Sequence, residues 1–214
     1  SRFAARIRAR HKLALTGTAV ALPADRISAP MLWHVLRGSA AGGLALASAY
    51  LINSFYDRGI DRDRGKNPFA TPGSPVAART VLITAVVLSA ACLALALLGS
   101  WTSLAAAAVA LISGWLYSAG PRLKRVFPLS TLLNLSIFAP LAFLGLAPGR
   151  PLPPGGWFLL GLFGVLLLQN QLIHEHAHHE EDRAGAISTT RLMLGFQGVV
   201  VAVGGLSTAP AALF

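Results

Sequence analysis

Long apolar runs alternate with short polar segments along this chain. A helix that crosses a bilayer needs roughly 17–25 mostly apolar residues. Five runs meet that length, over residues 38–56, 80–99, 101–118, 129–147 and 157–173. A sixth, residues 192–214, also meets it; it contains Pro210 and continues to the last residue. None of the six runs holds an acidic residue. Ser100 alone separates the second run from the third, which predicts a tight helical hairpin there. Many of the runs are rich in Ala and Gly, and small residues let helices approach closely in lipid. The pattern therefore predicts an all-α, multi-span transmembrane helix bundle.

The first thirty residues fit this pattern poorly. Arg2, Arg6, Arg8, Arg10 and Lys12 precede a short apolar stretch, residues 13–22, which Pro23, Asp25 and Arg26 interrupt. That stretch is too short to cross cleanly. Charge placement predicts a weak or truncated first helix over 1–30, in preference to an amphipathic segment lying on the surface. The same start is too basic, and its apolar part too interrupted, to read as a cleavable signal. The bundle proper is expected over 31–214.

Composition agrees with lipid as the solvent. The chain has 54% hydrophobic and 12% charged residues, against about 25% charged in ordinary soluble domains. Cys92 is the single cysteine, so neither a disulfide framework nor a cysteine metal site is available. A net charge of +10 would suit nucleic acid. The basic residues instead sit in loops between apolar runs, so no nucleic-acid partner is expected. Residues 57–79 carry Arg58, Arg62, Arg64, Lys66 and Arg79; residues 119–128 carry Arg122, Lys124 and Arg125; residues 174–191 carry Arg183 and Arg191. The intervening loops carry only Arg150. The positive-inside rule puts the three basic loops on the cytoplasmic side.

Those three loops also hold nearly all the chemistry. Asn53, Asp57 and Asp61 close the first run at spacing i, i+4, i+8. On a helix they would share one face, about 6 Å apart along the axis. An amide and two carboxylates in file suit Mg²⁺, which takes one or two carboxylates and completes its shell with phosphate oxygens. A charge-balanced, solvated helix end would look similar, since Arg58, Arg62 and Asp63 lie among them. A second cluster runs from Gln169, Asn170 and Gln171 through His174, Glu175, His176, His178, His179, Glu180, Glu181 and Asp182 to Arg183. His174-Glu175-His176-Ala177-His178 matches the zinc-hydrolase pattern His-Glu-x-x-His. A stretch so crowded with His and Glu produces that match easily, and zinc would leave the first acidic file unexplained. The third piece is Tyr117 with Arg122, Lys124 and Arg125. Alone, it could be an interfacial aromatic and a topology signal.

Together these loops resemble the UbiA family of intramembrane prenyltransferases. Asn53, Asp57 and Asp61 match that family's Asn-Asp-x-x-Asp-x-x-x-Asp, with Ser54 in place of the second-position Asp. The segment from Lys66 to Gly73 resembles its basic, proline-containing loop, with Ala70 where an Arg is common. Tyr117-Ser118-Ala119-Gly120-Pro121-Arg122-Leu123-Lys124 is similar to its Tyr-Ser-x-x-Pro-x-x-Lys region. Glu175 to Asp182, followed by Gly185 to Thr189, resembles its second acidic region, with Glu175 and His178 at positions usually held by Asp.

The resemblance implies a bundle of about nine helices, of which this chain offers six or seven. It implies Mg²⁺-dependent transfer of a polyprenyl group from an allylic diphosphate to a lipophilic, often aromatic, acceptor. Asn53, Asp57, Asp61, Glu175 and Asp182 would hold the metal. Asp57, Asp61, Tyr117 and Lys124 would carry catalysis. Asn53, Arg122, Asn170, His178 and Arg183 would contact substrate. The setting implied is a bacterial inner (cell) membrane, with the site facing the cytoplasm and the substrates drawn from membrane lipid. The rival readings are an inactive homologue or a small-molecule transporter. Ionisable residues inside spans mark transport paths, and only His34 and Arg37 qualify here, which favours chemistry at the membrane face.

Overall fold

A computed structural model describes residues 28–59, 67, 75–120, 122–126, 128–177 and 190–208. They form six α-helices and, among the described residues, no strand. These are α1 (Ala29–Asp57), α2 (Pro75–Leu97), α3 (Trp101–Ser118), α4 (Leu129–Phe138), α5 (Pro154–Ala177) and α6 (Thr190–Thr208). A 3₁₀ turn, Leu123–Arg125, precedes α4, and a second, Ala139–Phe143, continues it. Among the described residues, four helices are long and apolar enough to cross a membrane: Ala29–Asp57, Arg79–Leu97, Trp101–Ser118 and Pro154–His176. The basic segment expected at the start falls outside the described residues for positions 1–27.

Local chemistry explains the helix ends. Ser28 caps α1, its hydroxyl accepting from the Met31 N–H at 3.4 Å, and Pro30 sits in the first turn where its missing N–H costs nothing. α1 therefore starts nine residues before the apolar run does, and it carries His34 and Arg37 inside the bundle. Ser100 caps α3 by accepting from the Ser103 N–H at 3.1 Å, which makes the expected hairpin. The fourth apolar run does not stay α-helical. Pro140 lacks an N–H for the α-helical ladder, and the chain tightens to 3₁₀ from Ala139. Gly195 interrupts α6 with φ 70° and ψ 178°, a conformation open to glycine.

The core is built from small side chains. Ala41 and Ala45 of α1 meet Cys92 and Ala96 of α2, Ala106, Ala107 and Ala110 of α3, and Leu141 and Leu144 beyond α4. A Cβ on Gly38 would lie 2.5 Å from Gly145 Cα, so two backbones touch there and glycine is required. Ser48 Oγ donates to Ala85 O at 2.9 Å and pairs with Ser89 Oγ at 2.7 Å, joining α1 to α2. The large apolar side chains face outward: Trp33, Val87, Leu98, Trp101 and Val201 are all exposed. This inside-out distribution suits lipid, where only packing and internal hydrogen bonds hold helices together.

Successive helices run antiparallel. α4 and α5 confirm it at two levels, with the Phe143 ring 5.8 Å from that of Trp157 at one end and Asn134 bonded to Gln171 towards the other. The end of α1, the starts of α2 and α4, the 123–125 turn and the end of α5 therefore gather at one face of the bundle.

Candidate functional site

α1 brings Asn53 and Asp57 to that face, one turn apart on the same side. Asp57 is 7% exposed. α3 ends at Ser118, and the chain turns through Gly120 and Arg122, both with φ near the left-handed region, at 57° and 50°. For a non-glycine residue that geometry costs roughly 1–2 kcal/mol. It persists at Arg122 because the guanidinium donates to the Tyr56 carbonyl, holding the loop to the end of α1. Arg122, expected at the substrate, has its Nη2 on the Tyr56 carbonyl.

The turn puts Lys124 directly on the acidic file. Its ammonium forms an ion pair with Asp57 Oδ2, donates to Asn53 Oδ1 at 3.0 Å, and lies 5.9 Å from the centre of the Tyr117 ring. Ser118 Oγ donates to the same Asn53 oxygen at 3.0 Å. Asn53 Oδ1 is therefore fixed as an acceptor facing the cation. Asp57 Oδ1 is buried without a hydrogen-bond partner. A buried, unpaired carboxylate oxygen is costly, and beside an oriented amide oxygen it is a donor set that suits a hard divalent cation. The residues fit the expected metal. Asn67 is 1% exposed and donates to Ser54 O at 2.8 Å, tying the following loop back to α1.

The second acidic region comes from α5. Glu175 is 3% exposed and accepts from Gln171 Nε2 at 2.9 Å; Gln171 in turn accepts from Asn134 of α4. Asn170, expected at the substrate, is exposed, and its neighbour Gln171 is the buried amide. His174 is exposed while Glu175 is buried, and His176 packs against the Phe196 ring at 5.4 Å. The pair on which the zinc pattern depends, His174 with His178, has one member outside the described residues. Among the described residues, no group of three His, Cys, Asp or Glu side chains could hold a metal unaided. Asp61, His178, Asp182 and Arg183 lie outside the described residues.

Asn134 and Ser118 are the polar partners that sequence reasoning assigned no role. Asn134 had a signal, an amide inside an apolar run, where a polar group needs a reason. Below this face an apolar cavity of about 220 Å³ opens between α4, α5 and α6, lined by Thr131, Leu168, Leu172 and Leu194 among others.

At the other end of α1 lies Arg37, 2% exposed, its Nη2 donating to Leu144 O at 3.1 Å. A Cβ on Gly99 would fall on its guanidinium. Arg37 Nη2 fastens the chain beyond the second 3₁₀ turn, while its Nε and Nη1 are buried without a hydrogen-bond partner.

Fold and site together define an integral membrane protein of all-helical architecture, with acids, amides and a lysine gathered at one helix-end face. The sequence matches the UbiA prenyltransferase family over residues 13–214, and the chain belongs to that family. No curated protein matches it. Among solved structures, it is similar to a UbiA homolog from Archaeoglobus fulgidus bound to GPP and Mg²⁺, with a TM-score of 0.71 and 22% identity, covering 85% of this chain and 65% of that one. It is also similar to the Archaeoglobus fulgidus homolog bound to DMAPP and Mg²⁺, with a TM-score of 0.73 and 20% identity, covering 95% and 70%. The chain thus spans about two thirds of the length of those structures.

Proposed function

We propose that this chain transfers a prenyl group from an allylic diphosphate to a lipophilic or aromatic acceptor, at the membrane face and with Mg²⁺. The observation that carries the reading is the seat of Lys124. A topology signal would leave that ammonium in water. Here it meets Asn53 and the buried Asp57. The reading is supported by the family, by the Archaeoglobus fulgidus homologs with their bound diphosphates, and by the unpaired oxygen of Asp57.

Asn53, Asp57 and Glu175 would hold the metal, with Asp61 and Asp182 completing the set from the adjoining loops. Magnesium, when bound, supplies the positive charge through which carboxylates can hold a diphosphate. The side chains do the rest. When the allylic carbon–oxygen bond breaks, its electron pair leaves with the diphosphate. Lys124 takes up charge on that leaving group, where a pre-placed cation counts most. Tyr117, under the ammonium, keeps Lys124 at the site face. Arg122 keeps the turn on α1. The open apolar groove between α4, α5 and α6 would take the prenyl tail, and the acceptor then bonds to the allylic carbon and loses its proton to water or to the departing diphosphate. The basic loops support a cytoplasmic side for this face, and the setting in this reading is a bacterial inner membrane. Asn170, His178 and Arg183 stand as further substrate contacts in this reading.

The test is to incubate membranes carrying the full chain with labelled farnesyl and geranylgeranyl diphosphates, with and without Mg²⁺. A labelled lipid-soluble product that needs Mg²⁺ and disappears in Asp57→Ala is expected. Equal product from Asp57→Ala, or none from the wild type with any supplied acceptor, would overturn the reading.

A further inference from the structure

Three amides stand in file near the end of α5: Gln169, Asn170 and Gln171. They are not equivalent. Asn170 is exposed, whereas Gln171 is buried one turn before the buried Glu175. Gln171 Nε2 donates to Glu175 Oε1 at 2.9 Å, and its Oε1 accepts from Asn134 Nδ2 across the α4–α5 interface. Asn134 is the single amide in α4, with Leu133 and Leu135 beside it.

A primary amide has a donor end and an acceptor end. With its acceptor end turned to Asn134, Gln171 must present its donor end to Glu175. The file therefore has a direction, and it runs from Asn134 through Gln171 to a carboxylate oxygen of Glu175. If the two amides served only to bind α4 to α5, they would need nothing beyond each other. Their continuation to Glu175 is what helix association does not require. Outer partners of this kind fix the aim of a metal-binding carboxylate.

We propose that Asn134 is a positioning residue that acts through Gln171 to hold Glu175 aimed at the divalent cation of the diphosphate site. This rests on the reading of Glu175 as a metal ligand. Asn134→Leu keeps the size of the side chain but removes the donor, so Gln171 is free to turn its oxygen towards Glu175.

The experiment is a Mn²⁺ titration followed by electron paramagnetic resonance, on the purified full chain in detergent with inorganic pyrophosphate, so that no turnover is involved. Asn134→Leu is expected to weaken Mn²⁺ binding about 10–100-fold, the range for such outer partners. In a Glu175→Gln background the same substitution is expected to change nothing further. Gln171→Met should reproduce the loss, which keeps the test informative if Asn134→Leu does not fold. Wild-type Mn²⁺ affinity in folded Asn134→Leu or Gln171→Met would overturn the proposal. So would a full further loss in the Glu175→Gln background, because the effect would then bypass Glu175. A wild-type chain that binds no Mn²⁺ would instead sink the metal-site reading, and this proposal with it.

Discussion

Each end of the bundle draws in a cation, half-buried Lys124 at one and fully buried Arg37 at the other, and the two are held differently. At the site face, Lys124 meets side-chain oxygens, those of Asn53 and Asp57. At the opposite end, Arg37 meets backbone carbonyls, those of Leu144 and Leu146, and Gly99 lies so close that a Cβ there would fall on its guanidinium. Side-chain oxygens can exchange one cation for another by rotating. A carbonyl in a packed turn cannot. Burial of a basic residue is therefore no sign of chemistry by itself; the kind of oxygen it faces separates a working group from a fastening.

The contrast breaks most sharply at Asp57. Asp57→Asn is expected to drop prenyl transfer to the no-enzyme background with helical circular dichroism unchanged; turnover near wild type would place Asp57 among the fastenings. Lys124→Ala should lower turnover about 100-fold, the scale for losing one pre-placed charge stabiliser. Trp101→Ala, on an exposed side chain at the other end, should leave turnover alone, so equal rates for the two variants would make the 123–125 turn a topology signal only. Gly99→Val should cost about 1–3 kcal/mol of stability through overpacking, seen as a lower melting temperature in detergent, and adding Arg37→Met should restore part of it. A loss of rate per folded molecule in Gly99→Val would join the two ends functionally, against the comparison. Smallest is Ser118→Ala, which removes one of two donors to Asn53 Oδ1. About 0.5–1.5 kcal/mol is expected from one hydrogen bond, read as a few-fold fall in turnover.

The hydrophobic pattern placed every described helix, because a span's length is set by the bilayer. α3 has the expected limits, and the Ser100 hairpin stands where one polar residue between two apolar runs put it. The pattern failed where polarity and helix part company. α1 begins at Ala29, ahead of the run at 38, and takes in His34 and Arg37; α5 runs on past Ile173 through His174 and Glu175. The fourth run broke at Pro140, a covalent effect that hydropathy does not weigh. In the site, the i, i+4 spacing of Asn53 and Asp57 was legible, since helix geometry alone fixes it. The partnership with Lys124 was not: it depends on a left-handed residue at Arg122, and nothing local in a non-glycine residue announces that. Which of three adjacent amides turns inward depended on the packing of α4, out of reach of α5's own sequence.

The closeness of Gly99 to Arg37 couples the two positions in any lineage of this chain. A side chain at position 99 requires the guanidinium at 37 to swing away from Leu144 O or to be replaced by something shorter. Positions 37 and 99, sixty-two apart along the chain, should therefore vary as a pair among close relatives, glycine accompanying arginine and larger residues appearing only with a shorter neighbour.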